Sequence, residues 1–227
     1  MTTKPTPKPE GLYLITPEQL QGIALLTVVD EALSAGARWL QYRDKGSDRA
    51  LRRATAVALA RLCDQHSAQL IINDDLDLAL SIDNAGLHLG RDDGDLAAAR
   101  VRLGPDRILG ASCYGDLHRA SAALTVGANY VAFGAIYASA SKPHAPAVGT
   151  SVLGQARAAG IGPVVAIGGI TLDRVPDTLS AGADAVAVIG DVFNAPQVGQ
   201  RVTAYCRAIA QLQQTTGGAQ PTQTETS

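Results

Sequence analysis

Aromatic residues, cysteines and long apolar runs are all scarce in this sequence of 227 residues. Phenylalanine, tryptophan and tyrosine make up 4% of the chain, while small and aliphatic residues are abundant, a composition that suits close packing of helices on a sheet. Its three cysteines, Cys63, Cys113 and Cys206, lie far apart without metal-ligand spacing, so we expect a reducing, cytoplasmic location. No run contains the roughly 18 apolar residues that predict a membrane span.

The chain also has little net charge. It carries 19 Lys and Arg residues against 21 Asp and Glu residues, a balance that gives no electrostatic reason to expect binding to nucleic acid or to an anionic membrane. No Gly-x-Gly-x-x-Gly follows the first predicted strand, which argues against a dinucleotide site. The four histidines stand in no Ser–His–Asp order that would predict nucleophilic catalysis.

What the chain does have is a regular alternation of short apolar runs with longer amphipathic stretches. Eight of the runs have the length of a strand: Leu12–Ile15, Trp39–Arg43, Leu70–Asn73, Gly86–Leu89, Ile108–Ser112, Tyr130–Ala135, Val164–Ile167 and Ala185–Ile189. Three of the helical stretches end at a glycine, Gly36, Gly127 or Gly182, just before the next strand. Strands that alternate with helices in this way predict a parallel sheet.

We therefore predict an α/β fold, a single closed (β/α)8 TIM barrel over residues 11–213, with an open doubly wound sheet as the alternative. Residues 1–10 and 214–227, which contain few apolar residues, are expected to be disordered tails. His88, inside the fourth strand, is expected to pack in the barrel. Because the chemistry of a barrel lies at the carboxyl ends of its strands, polar residues that follow the strands become candidates for the site.

The second strand ends in Gln-Tyr-Arg-Asp-Lys. Side chains alternate along a strand, so Gln41, Arg43 and Lys45 share one face, and Tyr42 and Asp44 share the other. Two cations and an amide thus converge at the end of a mostly apolar segment, where cations without a counter-charge are costly. The pattern favours an anionic ligand at this end of the strand, and the alternative is a solvated strand end.

Acidic residues follow the third and fourth strands. Asn73 and Asp74 end one of them, and Asp93 follows the other. Carboxylates from neighbouring loops on one rim can share a Mg²⁺ ion with substrate phosphate oxygens. Asp75 is equally well explained as the N-cap of the next helix, and the same alternative applies to Asp92 and Asp93.

The loops after the last strands are candidates for phosphate binding. Ser139, Ser141 and Lys142 lie in a long loop after the sixth strand, which could equally be a solvated serine-rich loop. Gly168 and Gly169 follow the seventh strand and would let backbone N–H groups reach phosphate oxygens, although a tight turn also explains them. Such loops after strands seven and eight often form the phosphate site of a barrel.

In their order along the chain, these segments resemble the thiamine-phosphate synthase family over about residues 11–193. The resemblance is carried by Gln41-x-Arg43-x-Lys45, Ile72-Asn73-Asp74-Asp75, Gly86-Leu87-His88-Leu89-Gly90 with Asp93, Gly110-x-Ser112, Ser139-x-Ser141-Lys142 and Ala166-Ile167-Gly168-Gly169-Ile170. The family joins 4-amino-2-methyl-5-hydroxymethylpyrimidine diphosphate to 4-methyl-5-(2-hydroxyethyl)thiazole phosphate and releases pyrophosphate. The implied partners are therefore small-molecule substrates, and whether the chain forms a homo-oligomer stays open.

The resemblance implies a role for each matched residue. The pyrimidine diphosphate would be held by Gln41, Arg43, Lys45, Asn73, Ser112 and Lys142, of which Arg43, Lys45, Ser112 and Lys142 would also serve catalysis. Asp74 and Asp93 would bind Mg²⁺. The thiazole phosphate would be held by Ser139, Ser141, Gly168, Gly169, Ile189 and Gly190.

The chain departs from the family pattern at several of these places. Serines replace the usual threonines at 139 and 141, and Ala138 replaces a proline that often precedes them. Gly190 replaces a serine, which removes one expected phosphate donor, and Asp191 would repel a phosphate unless it points away. Tyr114 stands where a histidine is usual. A thiazole tautomerase of the same fold, which would need that histidine, and a non-catalytic binder of thiamine phosphates are the alternative functions.

Overall fold

Eight parallel strands close into a barrel in the computed structural model, which describes residues 7–138 and 147–217. The strands are β1 Gly11–Ile15, β2 Trp39–Tyr42, β3 Gln69–Asn73, β4 Gly86–Leu89, β5 Leu109–Tyr114, β6 Tyr130–Phe133, β7 Val164–Ile167 and β8 Ala185–Val188. The helices of the described residues are α1 Gly22–Ser34, α2 Arg49–Gln65, α3 Leu76–Leu80, α4 Leu96–Leu103, α5 Leu117–Thr125, α6 Ser151–Ala158, α7 Val175–Ser180, α8 Gly190–Phe193 and α9 Val198–Gly217. The predicted TIM barrel is confirmed, and the open sheet is wrong because β1 pairs with β8.

The strands divide the apolar residues between two cores. Alternate side chains face inward and form a small core inside the barrel, which includes Tyr13, Trp39, Ile71 and Tyr130. The other side chains face the helices and form a much larger shell around the barrel. Strands buried on both faces explain why the sequence shows nearly continuous apolar runs instead of strict alternation.

Aspartates fix where four of the helices begin. The side chains of Asp48, Asp75, Asp95 and Asp116 each accept a hydrogen bond from the backbone N–H three residues further along the chain. These are N-caps of α2 to α5, and each satisfies one of the N–H groups that a helix start leaves unpaired. Asp75 is therefore the N-cap of α3, as one of the two alternatives predicted. The N-cap of α4 is Asp95, so capping this helix does not explain the presence of Asp93.

The ends of the chain differ from the prediction at one place. Helix α9 continues to Gly217, so residues 214–217 belong to a helix and not to a tail. Buried residues of α9, such as Val202, Tyr205 and Ile209, stabilise the helix. Adding a turn to a helix that has formed costs much less free energy than nucleating one, so the helix continues beyond its buried part. At the other end, Pro9 is already buried next to β1.

The described residues contain three free cysteines, of which Cys63 and Cys113 are buried and Cys206 is half-buried. No helix in the described ranges is long and apolar enough to cross a membrane.

Candidate active site

The barrel brings most of the predicted site residues to one rim, at the carboxyl ends of the strands. Gln41 lies near the end of β2, and Arg43 and Lys45 follow it. Asn73 ends β3 and Asp74 follows it, Asp93 follows β4, and Ser112 lies near the end of β5. Gly168 and Gly169 follow β7, and Ile189 and Gly190 follow β8. Ser139, Ser141 and Lys142 lie outside the described residues, so their predicted roles stay predictions.

The end of β2 has the two faces that the sequence predicts. Gln41 points into the barrel, where its side chain is 3% exposed. Tyr42 packs in the outer shell, and its hydroxyl donates to the Asp44 carboxylate at 2.8 Å. Thr16, fully buried after β1, accepts from the backbone N–H of Arg43 at 2.9 Å and thereby fixes where the arginine leaves the strand.

Both cations of this strand end are paired with carboxylates. Arg43 forms an ion pair with Glu18 from the loop after β1. The ammonium of Lys45 lies 2.5 Å from one oxygen of Asp74 and 3.9 Å from an oxygen of Asp93. The positive charges therefore sit at the rim with partners that an incoming anion would have to replace.

Asp74 and Asp93 converge beside Gly90, whose lack of a side chain leaves the space that the Asp93 carboxylate occupies. A Cβ built on Gly90 would collide with the Asp93 carboxylate and would lie 3.7 Å from Asp74. Asp74 itself takes a left-handed backbone conformation with φ 61°, which is uncommon for a residue with a side chain and turns its carboxylate toward this space. The Gly90 N–H and the Asn73 amide, at 3.3 and 2.5 Å, also donate to Asp74.

Asp74 and Asp93 are two carboxylates that share one cationic partner, Lys45, so their surplus negative charge favours a further cation. Burial alone would raise the pKa of Asp74, but the hydrogen bond and charge of Lys45 outweigh it and hold that pKa below its usual range. Burial and the negative charge of Asp74 raise the pKa of Asp93. Within residues 7–138 and 147–217 no third acidic, histidine or cysteine side chain joins them to make a protein-only metal site. Two carboxylates fit a Mg²⁺ ion whose other ligands are phosphate oxygens and water.

A chain of hydrogen bonds crosses the barrel below this rim. The Gln41 amide donates to the Tyr13 hydroxyl at 3.0 Å, and that hydroxyl lies 2.8 Å from the hydroxyl of Tyr130. The Tyr130 hydroxyl lies 3.0 Å from His88 Nδ1, and His88 Nε2 lies 2.8 Å from the Ser112 hydroxyl. We call these five residues the inner hydrogen-bond chain. The prediction that His88 packs inside the barrel is confirmed.

The glycines after β7 have a structural reason as well as the predicted one. Gly168 and Gly169 have φ values of 101° and 63°, which few residues with a side chain adopt. Side chains there would also press on Ala135 and Ala138, because the loops after β6 and β7 lie against each other. Within the described residues neither glycine N–H has a backbone acceptor, so both remain available to an anion at the rim.

The structure settles the direction of Asp191, which follows Gly190. Its carboxylate accepts from the Tyr205 hydroxyl of α9 at 2.7 Å and lies 3.8 Å from the Arg201 guanidinium. Asp191 therefore points away from the barrel mouth, and the repulsion of a phosphate that its position suggested does not arise.

Tyr114, which stands in the place of the usual histidine, lies at the end of β5 after a break in the register with β6. It has φ 58°, is 42% exposed, and carries the Arg91 guanidinium 4.4 Å above its ring. Its ring is thus engaged in a cation–π contact at the edge of the mouth.

Several residues of the site were not predicted from the sequence. Tyr13 and Tyr130 stand in apolar runs and were grouped with the core, and Thr16 and Glu18 were not singled out. Gly110 is the residue that could have pointed to Tyr130. A Cβ at this position would collide with the Tyr130 ring, so a larger residue would prevent that ring from crossing the barrel.

Fold and rim together define a class: a TIM-barrel enzyme whose mouth carries paired carboxylates, two cations and glycine loops, an arrangement suited to a substrate diphosphate. A model of the family described as thiamine monophosphate synthase matches residues 12–192. The chain belongs to this family, and it is accordingly an enzyme, a transferase.

Comparisons with individual proteins support the same family assignment. The chain is 50% identical over 204 residues to the thiamine-phosphate synthase of Chromobacterium violaceum, covering 90% of this chain and 96% of the relative. It is 48% identical over 201 residues to that of Methylobacillus flagellatus, covering 88% and 96%. Its fold resembles the solved thiamine phosphate pyrophosphorylase of Pyrococcus furiosus with a TM-score of 0.81 and 30% identity, covering 89% of this chain and 96% of that one.

Proposed function

We propose that this barrel joins 4-amino-2-methyl-5-hydroxymethylpyrimidine diphosphate to 4-methyl-5-(2-hydroxyethyl)thiazole phosphate, giving thiamine phosphate and pyrophosphate. The observation that carries the proposal is the convergence of Arg43, Lys45, Asp74 and Asp93 at the mouth of a barrel of this family. The names of the relatives support the same reaction.

The cationic rim would bind the diphosphate. Lys45, Asn73 and Asp74 line a polar groove of about 420 Å³ beside the mouth. Arg43 and Lys45 would exchange their carboxylate partners for phosphate oxygens, which accept charge-assisted hydrogen bonds from both side chains. Asn73 and Ser112 would add neutral donors, and Lys142 stays a predicted third cation.

Asp74 and Asp93 would hold Mg²⁺, which when bound would supply positive charge to the departing pyrophosphate. The convergence of the two carboxylates beside Gly90, where a Cβ would collide with Asp93, supports this role. The Asn73 amide and the Gly90 N–H would keep the Asp74 carboxylate in place.

The bond changes require no nucleophile from the protein. The bond between the pyrimidine methylene carbon and oxygen breaks, and both electrons leave with pyrophosphate. The electron-rich aminopyrimidine stabilises the resulting carbocation, and the thiazole nitrogen then supplies the electron pair of the new carbon–nitrogen bond. The protein need only align the two molecules and stabilise the departing charge, and the rim is built from groups of that kind.

The thiazole phosphate would lie across the loops after β7 and β8. The N–H groups of Gly168 and Gly169, which have no backbone acceptor among the described residues, suit a phosphate. Ile189 packs against the inner core beside Gly190. Ser139 and Ser141 stay predicted donors from the loop after β6.

The test is turnover of the two substrates by the purified protein with and without Mg²⁺, with thiamine phosphate and pyrophosphate both measured. We expect equal amounts of the two products and loss of activity in chelator. Asp93→Asn should lower turnover strongly, and it should weaken binding of the pyrimidine diphosphate measured by calorimetry in Mg²⁺. The matched control is Asp92→Asn, the same loss of charge at the exposed neighbouring position. Full activity in excess chelator would contradict the metal assignment.

The same assay separates the alternatives. A tautomerase would change the thiazole without pyrophosphate release, and a non-catalytic binder would give no product. Nothing at Tyr114 favours the tautomerase, because its ring is engaged by Arg91. We also propose a cytoplasmic location, which the unpaired cysteines support.

A further inference from the structure

The inner hydrogen-bond chain is almost completely enclosed. The exposed fractions of Tyr13, Gln41, His88 and Tyr130 are 1%, 3%, 6% and 0%. Burying four polar side chains is costly unless each finds a partner, and here each hydroxyl, amide or ring nitrogen on the path has one. The His88 and Tyr130 rings are also stacked, with centroids 5.5 Å apart and an angle of 26°, so the geometry of the path is held by packing.

Every member of the chain is uncharged at neutral pH. Burial raises the pKa of Tyr13 and of Tyr130 above their usual range. The His88 ring is enclosed, and its two nitrogens face the hydroxyls of Tyr130 and Ser112. An imidazole buried between two neutral hydroxyls is itself neutral, so it carries one proton and its two ring nitrogens differ in role.

The proton order along the chain follows from its first donor. The Gln41 amide nitrogen can only donate, so the Tyr13 hydroxyl accepts from it. The hydroxyl oxygen of Tyr130 is then the acceptor that keeps the buried Tyr13 proton from being left without a partner, so Tyr13 donates to Tyr130. The Tyr130 hydroxyl then donates to His88 Nδ1, which leaves the ring proton on Nε2. That N–H donates to the oxygen of Ser112.

We propose that the inner hydrogen-bond chain is a positioning device that keeps Nε2 of His88 protonated and so turns the hydroxyl proton of Ser112 away from the barrel interior, toward the mouth. Within the described residues, His88 is the only side chain bonded to the Ser112 hydroxyl. Having accepted from His88, that hydroxyl has its proton free for an anionic oxygen of the substrate. This inference rests on the proposed function only for the identity of that anion.

The first test determines which ring nitrogen of His88 carries the proton in the protein without substrate. Nitrogen-15 NMR of the unaltered chain, with the His88 signals identified by their loss in His88→Gln, should show a neutral ring protonated at Nε2. Tyr130→Phe keeps the ring but removes the donor to Nδ1, so a mixture of the two tautomers should appear. In the matched variant Tyr13→Phe, the Tyr130 hydroxyl can still donate to His88, and the Nε2–H form should persist. A ring protonated at Nδ1 in the unaltered protein would overturn the proposal.

The second test asks whether Tyr130 acts through Ser112. Tyr130→Phe should lower kcat about twofold to tenfold, in proportion to the share of His88 rings that lose the Nε2 proton in the NMR spectrum, with little change in either KM. The same substitution made on Ser112→Ala should lower kcat hardly further, because the group that the chain positions is already gone. An equal loss in both backgrounds would overturn the proposal, since Tyr130 would then act on its own. Absence of thiamine phosphate synthesis would refute the proposed function and leave the NMR result to decide this one.

Discussion

Arg43 and Glu18 form an ion pair at the mouth that a substrate diphosphate would have to break. Their side chains are 31% and 49% exposed, and exposed pairs of this kind contribute about 0–1 kcal/mol. We expect Glu18→Gln to lower the KM for the pyrimidine diphosphate by up to about fivefold at low salt, with kcat unchanged. Steady-state kinetics would measure it, and Glu10→Gln, the same change at the opposite rim, is the control. A higher KM would show that Glu18 instead holds Arg43 in its binding position.

His88 makes the fold sensitive to acid. Burial lowers its pKa to about 4, whereas the usual value in an unfolded chain is about 6.5. The unfolded state therefore binds the proton more readily, so stability is complete above pH 6.5 and falls as the pH drops toward 4, by about 3 kcal/mol in all. Between pH 7.5 and 5 the free energy of unfolding in urea should fall about 2 kcal/mol more for the unaltered chain than for His88→Gln. Equal losses would mean that other groups cause the acid sensitivity.

At the scale of single elements, α8 and the loop before it decide how the second substrate is held. Gly190 begins α8, and a Cβ there would lie 3.1 Å from the amide nitrogen of Asn194, an exposed side chain that can move aside. Gly190→Ser would restore one donor to the thiazole phosphate, worth roughly 1.5–3 kcal/mol before the cost of moving Asn194. We expect the KM for thiazole phosphate to fall several-fold, while the KM for the pyrimidine diphosphate stays constant.

The dephosphorylated thiazole alcohol is the control for this substitution. It offers no anion, so Gly190→Ser should leave its kinetics unaltered. A change for both thiazole compounds would indicate a shift of the backbone, and no change for either would place the phosphate away from β8.

The elements were largely predictable from the sequence, and the errors have physical causes. Buried parallel strands produce continuous apolar runs, so the eight strands begin and end within two residues of their predicted positions. The sixth strand was predicted to reach Ala135 but ends at Phe133, where the chain leaves the barrel although its residues stay apolar. The residues between β7 and β8 form a 3-10 turn, Leu172–Arg174, followed by α7, and the sequence composition does not reveal this division.

The site was predictable only in its charged part. Arg43, Lys45, Asp74 and Asp93 are conspicuous because cations and carboxylates at strand ends have few structural uses. Tyr13 and Tyr130 are not conspicuous, because a tyrosine in an apolar run looks the same whether its hydroxyl is solvated or belongs to a buried network. Only the barrel closure, which brings strands one and six together across the interior, distinguishes the two cases.

For the molecule as a whole, the described core is contained between Pro9 and Ile209. A chain without residues 1–8 and 218–227 should therefore retain its kcat, and its free energy of unfolding should change by less than about 0.5 kcal/mol. A C-terminal cut placed before Tyr205 is the contrasting case, because it removes the buried partner of Asp191 and should unfold the barrel. Thermal unfolding and turnover measure both. Lost activity in the first, stably folded truncation would show that a chain end acts at the site.

The buried thiols have a practical consequence for labelling. Burial raises the pKa of Cys63 and of Cys113 to about 12, and that of Cys206 is also raised. The thiolate is the form that attacks an alkylating reagent, so at neutral pH the three native thiols react slowly. A cysteine introduced by Val101→Cys, at a position 82% exposed on α4, would be modified long before them. A single fluorophore can thus be attached to the otherwise unaltered enzyme, at an exposed position of α4, without first removing any of its own cysteines.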